Sequence, residues 1–404
     1  MTQLPRSSPY IAIACGGTGG HFFPGLAVAD QLIQRQCKVA LLVSPKEVDQ
    51  RAVQSARGME IVTLPAVALQ QGSRLAFVRG CWQSWRAARQ AFRADPPQAV
   101  VAMGGFTSAP PVLAGRCAGA RTFLHESNSL PGRANRWLAR FVDQAFVGFA
   151  AAAPRMRARQ TTVTGTPVRP EFQPGDAAVC RAKLGLDPAR PVLLVTGGSQ
   201  GAAGLNDLIL RALPLLAQRA AHWQWLHLSG PGDFAKVKQD YAEAGVPAHV
   251  HPFLAEMHLA LGAATAVVSR AGASSLAEIA AMRAASLLVP FPHAADNHQF
   301  HNARAFVESG AAMLLEQADG TPEKVADLLV QLVEDQTTRE AMRSALGQWH
   351  SPKAAEQIAE AILRAVARAA AHPQTAAGVS RKAAGPEATR PVDPRARLAE
   401  PEAV

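Results

Sequence analysis

Cysteine is scarce in this chain of 404 residues: Cys15, Cys37, Cys81, Cys117 and Cys180 are odd in number, scattered and form no CxxC pair. That excludes a disulfide framework and a thiolate zinc site, and it suits a reducing cytosol. No run reaches the roughly 18 uninterrupted apolar residues of a membrane-spanning helix. The opening "MTQLPRSSPYIAIACGG" lacks the parts of a secretory signal, so a soluble chain is expected. Two phosphate-binding patterns are missing as well. Counted from Gly17, G-x-G-x-x-G puts Phe22 where the third glycine belongs, and no acid ends "KVALLV". Nicotinamide dinucleotides are thereby excluded. No GK[ST] follows either glycine-rich turn, which excludes a P-loop. Zinc knuckles, RNP motifs and basic helix-turn-helix patterns are absent too, so nucleic acid is not the expected partner.

What is present is a globular composition, 48% hydrophobic and 18% charged. The length predicts two domains and a tail. The formal charge of +10 calls for an anionic partner, a lipid surface or a phosphorylated ligand. Strand-like runs alternate with helical patterns: "YIAIAC" (10–15), "KVALLV" (38–43), "AVVAM" (99–103), "RTFLHE" (121–126) and "QAFVGF" (144–149). Alternation of this kind predicts a parallel sheet with crossover helices. It restarts at "PVLLVTGGSQGAAGLN" (191–206) and continues through "WQWLHLSG", "HVHPFL", "AVVSRAG" and "SLLVPF". The expected fold class is therefore α/β, with two Rossmann-like domains. "TGTPVRPEFQPGD" (164–176) reads as the linker, and the tail, rich in Ala, Pro, Arg and Glu, reads as disordered.

Two βα turns rich in glycine, "ACGGTGGHFFPG" (14–25) and "TGGSQGAAG" (196–204), allow backbone N–H groups to approach an anion at a helix N-terminus. Two such turns in similar domains predict a ligand in the cleft between them. "VVSRAGASSLAEI" (267–279) adds a third small-residue turn, whose amides and hydroxyls from Ala273 to Ser275 suit a diphosphate. Glu278 just beyond suits paired ribose hydroxyls. The next loop gathers His293, Asp296, Asn297, His298 and Gln299, donors and acceptors for a polyhydroxylated ligand. His293, His298 and His301 lack the HExxH or cysteine pattern of a zinc site, so no metal is expected.

Six stretches in this order, "GGTGGHFFPGLAVA", "HESNSLPGRANRWLA", "GTPVRPEF", "GGSQGAAGLN", "SRAGASSLAEIAA" and "PFPHAADNHQFHNA", carry a resemblance over about residues 9–366. They resemble the bacterial N-acetylglucosaminyltransferases that convert lipid I to lipid II in peptidoglycan synthesis. The resemblance implies a GT-B architecture: an acceptor and membrane-side domain over 1–165, a UDP-sugar domain over 166–345, a returning helix over 346–369 and a tail over 370–404. It implies UDP-N-acetylglucosamine as donor, undecaprenyl-diphospho-muramoyl-pentapeptide as acceptor, attack by the muramoyl C4 hydroxyl and inversion at the anomeric carbon. It further implies that backbone near Leu254 meets uracil and that Glu278 holds the ribose. Ser199 and the stretch Ala273, Ser274, Ser275, Leu276 and Ala277 would hold the diphosphate, while Gln299 and His298 grip the sugar. Asn128 and Arg169 occupy donor-contacting positions, and Thr18, Gly19 and Gly20 approach from the N-terminal side. One departure is Ser127, where the family often carries Gln.

No D-x-D occurs, so charge on the leaving UDP is expected to fall on helix N-termini and amides, without a cofactor. The acceptor hydroxyl needs a base, and His21 is the first candidate, or else it orders its loop or binds the acceptor diphosphate. Glu126 is the second, or else the orienter of a neighbour. In "RLAFVRGCWQSWRAARQAFR" (74–93), Leu75, Val78, Trp82 and Trp85 fall at helical spacing among arginines. The segment is a core-facing helix or a dock for an anionic membrane, which places the protein at the cytoplasmic face of the cell membrane. Other cell-wall synthesis proteins are further expected partners. The alternatives are another GT-B UDP-sugar enzyme, such as a diacylglycerol galactosyltransferase or a UDP-sugar epimerase, and a catalytically inactive nucleotide-sugar binder.

Overall fold

A computed structural model describes residues 8–16, 19–45, 59–65, 74–198 and 200–371. Thr18, Ser199, residues 66–73 and the tail from 372 lie outside the described residues. Two parallel sheets organise the chain. The first holds β1 (Tyr10–Ala14), β2 (Lys38–Val43), β3 (Glu60–Thr63), β4 (Ala99–Ala102), β5 (Arg121–Glu126), β6 (Gln144–Val147) and β7 (Thr161–Val163) in the order β3-β2-β1-β4-β5-β6-β7. The second holds β8 (Val192–Thr196), β9 (Gln224–Leu228), β10 (Ala248–His251), β11 (Ala266–Ser269), β12 (Ser286–Leu288) and β13 (Met313–Leu314) in the order β10-β9-β8-β11-β12-β13. These are two Rossmann-like domains, as the alternation predicts.

The central strands are short apolar runs buried on both faces, as strands covered by helices on two sides must be. β1 illustrates the register: Ile11 lies opposite Val39 on one side and Ala99 on the other. Three strands escaped the sequence reading, β3, β7 and β13. Two sit at an edge with partly exposed side chains and the third is only two residues long, so none shows the apolar run that marks a buried strand. In each sheet the strand order reverses once, between β1 and β4 and between β8 and β11. At such points neighbouring crossovers run to opposite faces and leave a crevice at the carboxyl ends of the strands.

Three helices of the first domain's side bear on function. In α1 (Gly19–Gln34), Phe22, Leu26 and Leu32 pack on the first sheet. The last helix (Ala354–Ala371) buries Ala355, Ile358, Ala359 and Ile362 in that same core. The helix Arg74–Ala94 has two apolar faces. Ser84, Ala88 and Phe92 are buried, and Trp85 packs beside them against the first sheet. Leu75, Val78 and Trp82 point outward, 83%, 62% and 53% exposed. The expected four-residue stripe thus splits, because Trp85 lies one residue from Ser84 on the core side. Among the described residues no helix is long and apolar enough to cross a membrane.

Candidate active site

Both crevices open on one cavity of about 1260 Å³. Its walls include Gly19–His21 and Gly105 from the first sheet's switch point, and Thr196, Gly197, Arg270 and Gly272–Ser275 from the second's. Three helices begin there: α1, α2 (Ala203–Arg219) and α3 (Ala273–Met282). None has an acidic residue in its first turn, and the starts of α2 and α3 have no side-chain cap. The N-terminal N–H groups of α2 and α3, and their partial positive charge, are left to whatever fills the cavity.

Glycine is needed where these turns crowd. A Cβ on Gly201 would stand 2.3 Å from the Ser229 carbonyl oxygen, and its φ of 77° is left-handed. Behind this turn lies a buried polar network. Asn206 donates to the Ser229 carbonyl at 2.9 Å, and His227 bridges Asn206 and Tyr241 at 3.0 and 3.1 Å. Burial depresses the His227 pKa to about 3, which keeps the ring neutral. A third glycine pair, Gly104 and Gly105 after β4, was not read from the sequence. A Cβ at Gly104 would lie 2.7 Å from His21 Nδ1, and one at Gly105 would lie 3.3 Å from Nε2. His21 therefore packs its ring on bare backbone at the cavity wall.

Glu126 ends β5 and is only 2% exposed. Its Oε1 accepts from the Asn128 N–H at 2.8 Å and from Asn128 Nδ2 at 2.9 Å. Its Oε2 accepts from the Gly132 N–H at 3.0 Å and Asn135 Nδ2 at 2.7 Å. Every strong acceptor direction is taken. Such a carboxylate is a clamp on the loop that follows, and it has no oxygen left for a substrate proton. Beneath it His125, buried and bonded to the Gly165 carbonyl at 3.1 Å, is held down to a pKa of about 4, chiefly by burial.

Across the cavity Glu278 receives no hydrogen bond among the described residues. Its pKa rises to about 7 because burial disfavours the anion; Arg169 opposes the rise and Glu171 adds a smaller push upward. Arg169 is bound to Glu171 at 3.0 Å and stacked on Phe23 and Phe172. Gln299 turns its Oε1 to the N–H groups of Ala271 and Phe291, at 3.2 and 3.0 Å. His298 Nδ1 lies 2.8 Å from the Ala295 carbonyl. Leu254, Ala273, Ser274 and Ser275 also line the cavity.

Two expected residues do not reach the wall. Leu276 is fully buried in the second domain's core and its N–H is already bonded to the Gly272 carbonyl at 2.9 Å. Ala277, next to it, is also absent from the lining. Helical rotation explains this: past the first turn only one residue in three or four faces a given side. Arg270, by contrast, was missed. It is 6% exposed, donates to the Val289 and Pro290 carbonyls at 3.1 Å each and to Gln317, and keeps a pKa lowered by burial to about 10.

The two halves meet at defined bonds. Pro24 has no N–H for the Gly20 carbonyl four residues earlier, and Ser274 Oγ donates to that oxygen at 2.6 Å. Arg133 pairs with Asp296 at 3.0 Å.

Residues 11–147 match the glycosyltransferase family 28 N-terminal domain, and residues 192–360 match its C-terminal domain. Among curated relatives is the UDP-N-acetylglucosamine–N-acetylmuramyl-(pentapeptide) pyrophosphoryl-undecaprenol N-acetylglucosamine transferase of Verminephrobacter eiseniae, 41% identical over 79% of this chain and 89% of that protein. The protein of the same name from Anaeromyxobacter dehalogenans is 36% identical over 95% of this chain and 98% of its own length. The chain belongs to this transferase family. A crystal structure of Acinetobacter baumannii MurG superposes with a TM-score of 0.69 at 27% identity, over 88% of this chain and 99% of that one. A Staphylococcus aureus MnaA–UDP structure shares the fold alone, with a TM-score of 0.63 at 13% identity over 87% of this chain and 94% of the other. Family membership makes the chain a glycosyltransferase, which accords with a cavity built between two βα switch points.

Proposed function

We propose that this glycosyltransferase moves N-acetylglucosamine from its UDP ester to the muramoyl C4 hydroxyl of undecaprenyl-diphospho-muramoyl-pentapeptide, with inversion. One observation carries the reading: three helix N-termini without acidic first turns converge on a single cavity lined by both domains. The diphosphate lies on the starts of α2 and α3, against Ser275 and the backbone beside Ser199. There N–H dipoles already point at the charge that grows as the glycosidic bond breaks. Uracil meets the backbone at Leu254, the ribose hydroxyls donate to Glu278, and the free amide of Gln299, with His298 beside it, takes the sugar.

His21 is the base. It lines the cavity at the first turn of α1 in the first domain, and an imidazole accepts a hydroxyl proton near neutral pH. Glu126 orients Asn128 and Asn135. Gly19 and Gly20 bring α1 close to the donor, and Arg169 sets the potential felt by Glu278. The exposed Leu75, Val78 and Trp82, with Arg79, Arg86 and Arg89 around them, dock the protein on an anionic membrane and bring the cavity to an acceptor whose lipid stays in the bilayer. On this reading the protein works at the cytoplasmic membrane face.

The decisive experiment follows labelled N-acetylglucosamine into a short-chain lipid I analogue, with and without EDTA. Transfer in both conditions is expected. Failure with the acceptor present, or turnover that stops once EDTA is added, would overturn this account.

A further inference from the structure

Asn302, on the helix His298–Glu308, is fully buried and uses its whole amide. Its Oδ1 accepts from the Ser129 N–H at 2.9 Å and from Ser129 Oγ at 3.0 Å. Its Nδ2 donates to Asn128 Oδ1 at 3.0 Å and to the Ala271 carbonyl at 3.2 Å. Two acceptor sites and two donor hydrogens are all an amide has. Three of the four bonds cross from the second domain to the loop after β5 in the first.

The same residue ties together both walls of the cavity. Gln299 precedes Asn302 by three positions and so shares its helix face. Ala271 is gripped at both ends, its N–H by Gln299 and its carbonyl by Asn302, immediately before the Gly272–Ser275 turn. Asn128 is likewise gripped twice, by Asn302 at its Oδ1 and by Glu126 at its N–H and Nδ2. A continuous set of hydrogen bonds thus runs from Asn135 through Glu126, Asn128 and Asn302 to Ala271 and Gln299. A buried amide tolerates one arrangement of partners, since any slippage leaves polar groups unpaired in a dry interior.

We infer that Asn302 is a positioning residue: it holds Asn128 and the acceptor-side wall in register with the diphosphate turn and Gln299. It touches no reacting atom, and the inference rests on the reaction proposed above. The small misplacement that its loss allows is expected to slow transfer by about 100-fold, the usual cost of roughly 1 Å at a reacting centre. UDP affinity should change less than about threefold, because the Gln299–Ala271 bond survives.

The test is a cycle of Asn302→Ala, Asn128→Ala and the double variant. Transfer to the lipid I analogue is measured beside UDP binding by calorimetry. Expected is a large fall in kcat for each single variant and a double variant little worse than the poorer single, because both changes break one chain. Asn302→Asp keeps the Ser129 bonds but sets oxygen against Asn128 Oδ1 and the Ala271 carbonyl, so it should be at least as slow as Asn302→Ala. Losses that multiply independently, or kcat unchanged in both Asn302 variants, would overturn the inference alone. Should those variants fail to fold, Ser129→Ala deletes a single bond to Oδ1. It should lower kcat several-fold at constant UDP affinity, and no loss would again overturn the inference. A native chain that transfers nothing overturns the reaction and this inference with it.

Discussion

Two glutamates face the same cavity with opposite hydrogen bonding. Glu126 has four N–H donors on its two oxygens, whereas Glu278 has none among the described residues and is pushed up to about 7 by burial. The first carboxylate has done its work in the folded chain, where it clamps the loop that carries Asn128 and Asn135. The second is left short of donors, the condition of a group whose partners arrive with a ligand. Each wall joins helix starts to side chains: the first domain gives α1 with His21 and Glu126, and the second gives α2 and α3 with Arg270, Glu278 and Gln299.

The largest effect should separate the walls. His21→Ala is expected to lower kcat by about 10²–10⁴-fold while the donor KM moves little, since the donor is held chiefly by second-domain residues. Steady-state kinetics at saturating acceptor would check this, and near-native kcat would remove His21 from the chemistry. Next, Glu126→Ala strands four N–H donors and should cost about 3 kcal/mol or more in urea unfolding. Glu278→Ala should cost little by the same measurement. Equal losses would erase the distinction between the two carboxylates.

Smaller effects concern Glu278 and pH. Ribose hydroxyls stabilise the ionised carboxylate, so donor binding expels a proton. The donor KM should then rise about tenfold between pH 8 and pH 6, and Glu278→Gln should flatten that profile. Stability runs the other way. Below pH 4.5 the carboxyl is neutral in folded and unfolded chains alike. From there to about 7 the unfolded chain ionises first, so the native state loses ground as pH rises. Glu278→Gln should therefore stabilise the protein at pH 8, by about 1–2 kcal/mol, and be neutral at pH 4. A pH-independent difference would contradict the assigned pKa.

The smallest effect on turnover is expected from Leu75, Val78 and Trp82 changed together to Ser. Being outward-facing, they should alter unfolding by no more than about 0.5 kcal/mol, yet binding to anionic liposomes should fall at least tenfold and transfer to a soluble acceptor persist. Unchanged liposome binding would refute the docking face. Trp85 belongs in no such test, because it packs on the first sheet.

Much of this was legible in the residues. Ten of the strands announce themselves as apolar runs, and the glycine turns that close β1 and β8 follow from the need for close backbone approach. Their recurrence after about 180 residues implied two α/β units. The convergence of helix starts followed from that topology. The Gly104–Gly105 pair left its mark in the sequence as "MGGF" after a strand, the signal that would have found it. Arg270 and Asn135 left none, since an arginine or asparagine that is buried looks the same in sequence as one on the surface.

By itself the sequence determined the alternation of strands and helices, the small-residue turns and the family, because these depend on neighbours a few positions apart or on whole motifs. Tertiary structure alone decided which carboxylate would be saturated, that Leu276 turns into the core while Glu278 meets the cavity, and that Asn302 meets Asn128 across 174 positions. The reason is that hydrogen bonding and desolvation are set by distance in space, and no local pattern encodes which remote polar groups will share a dry interior.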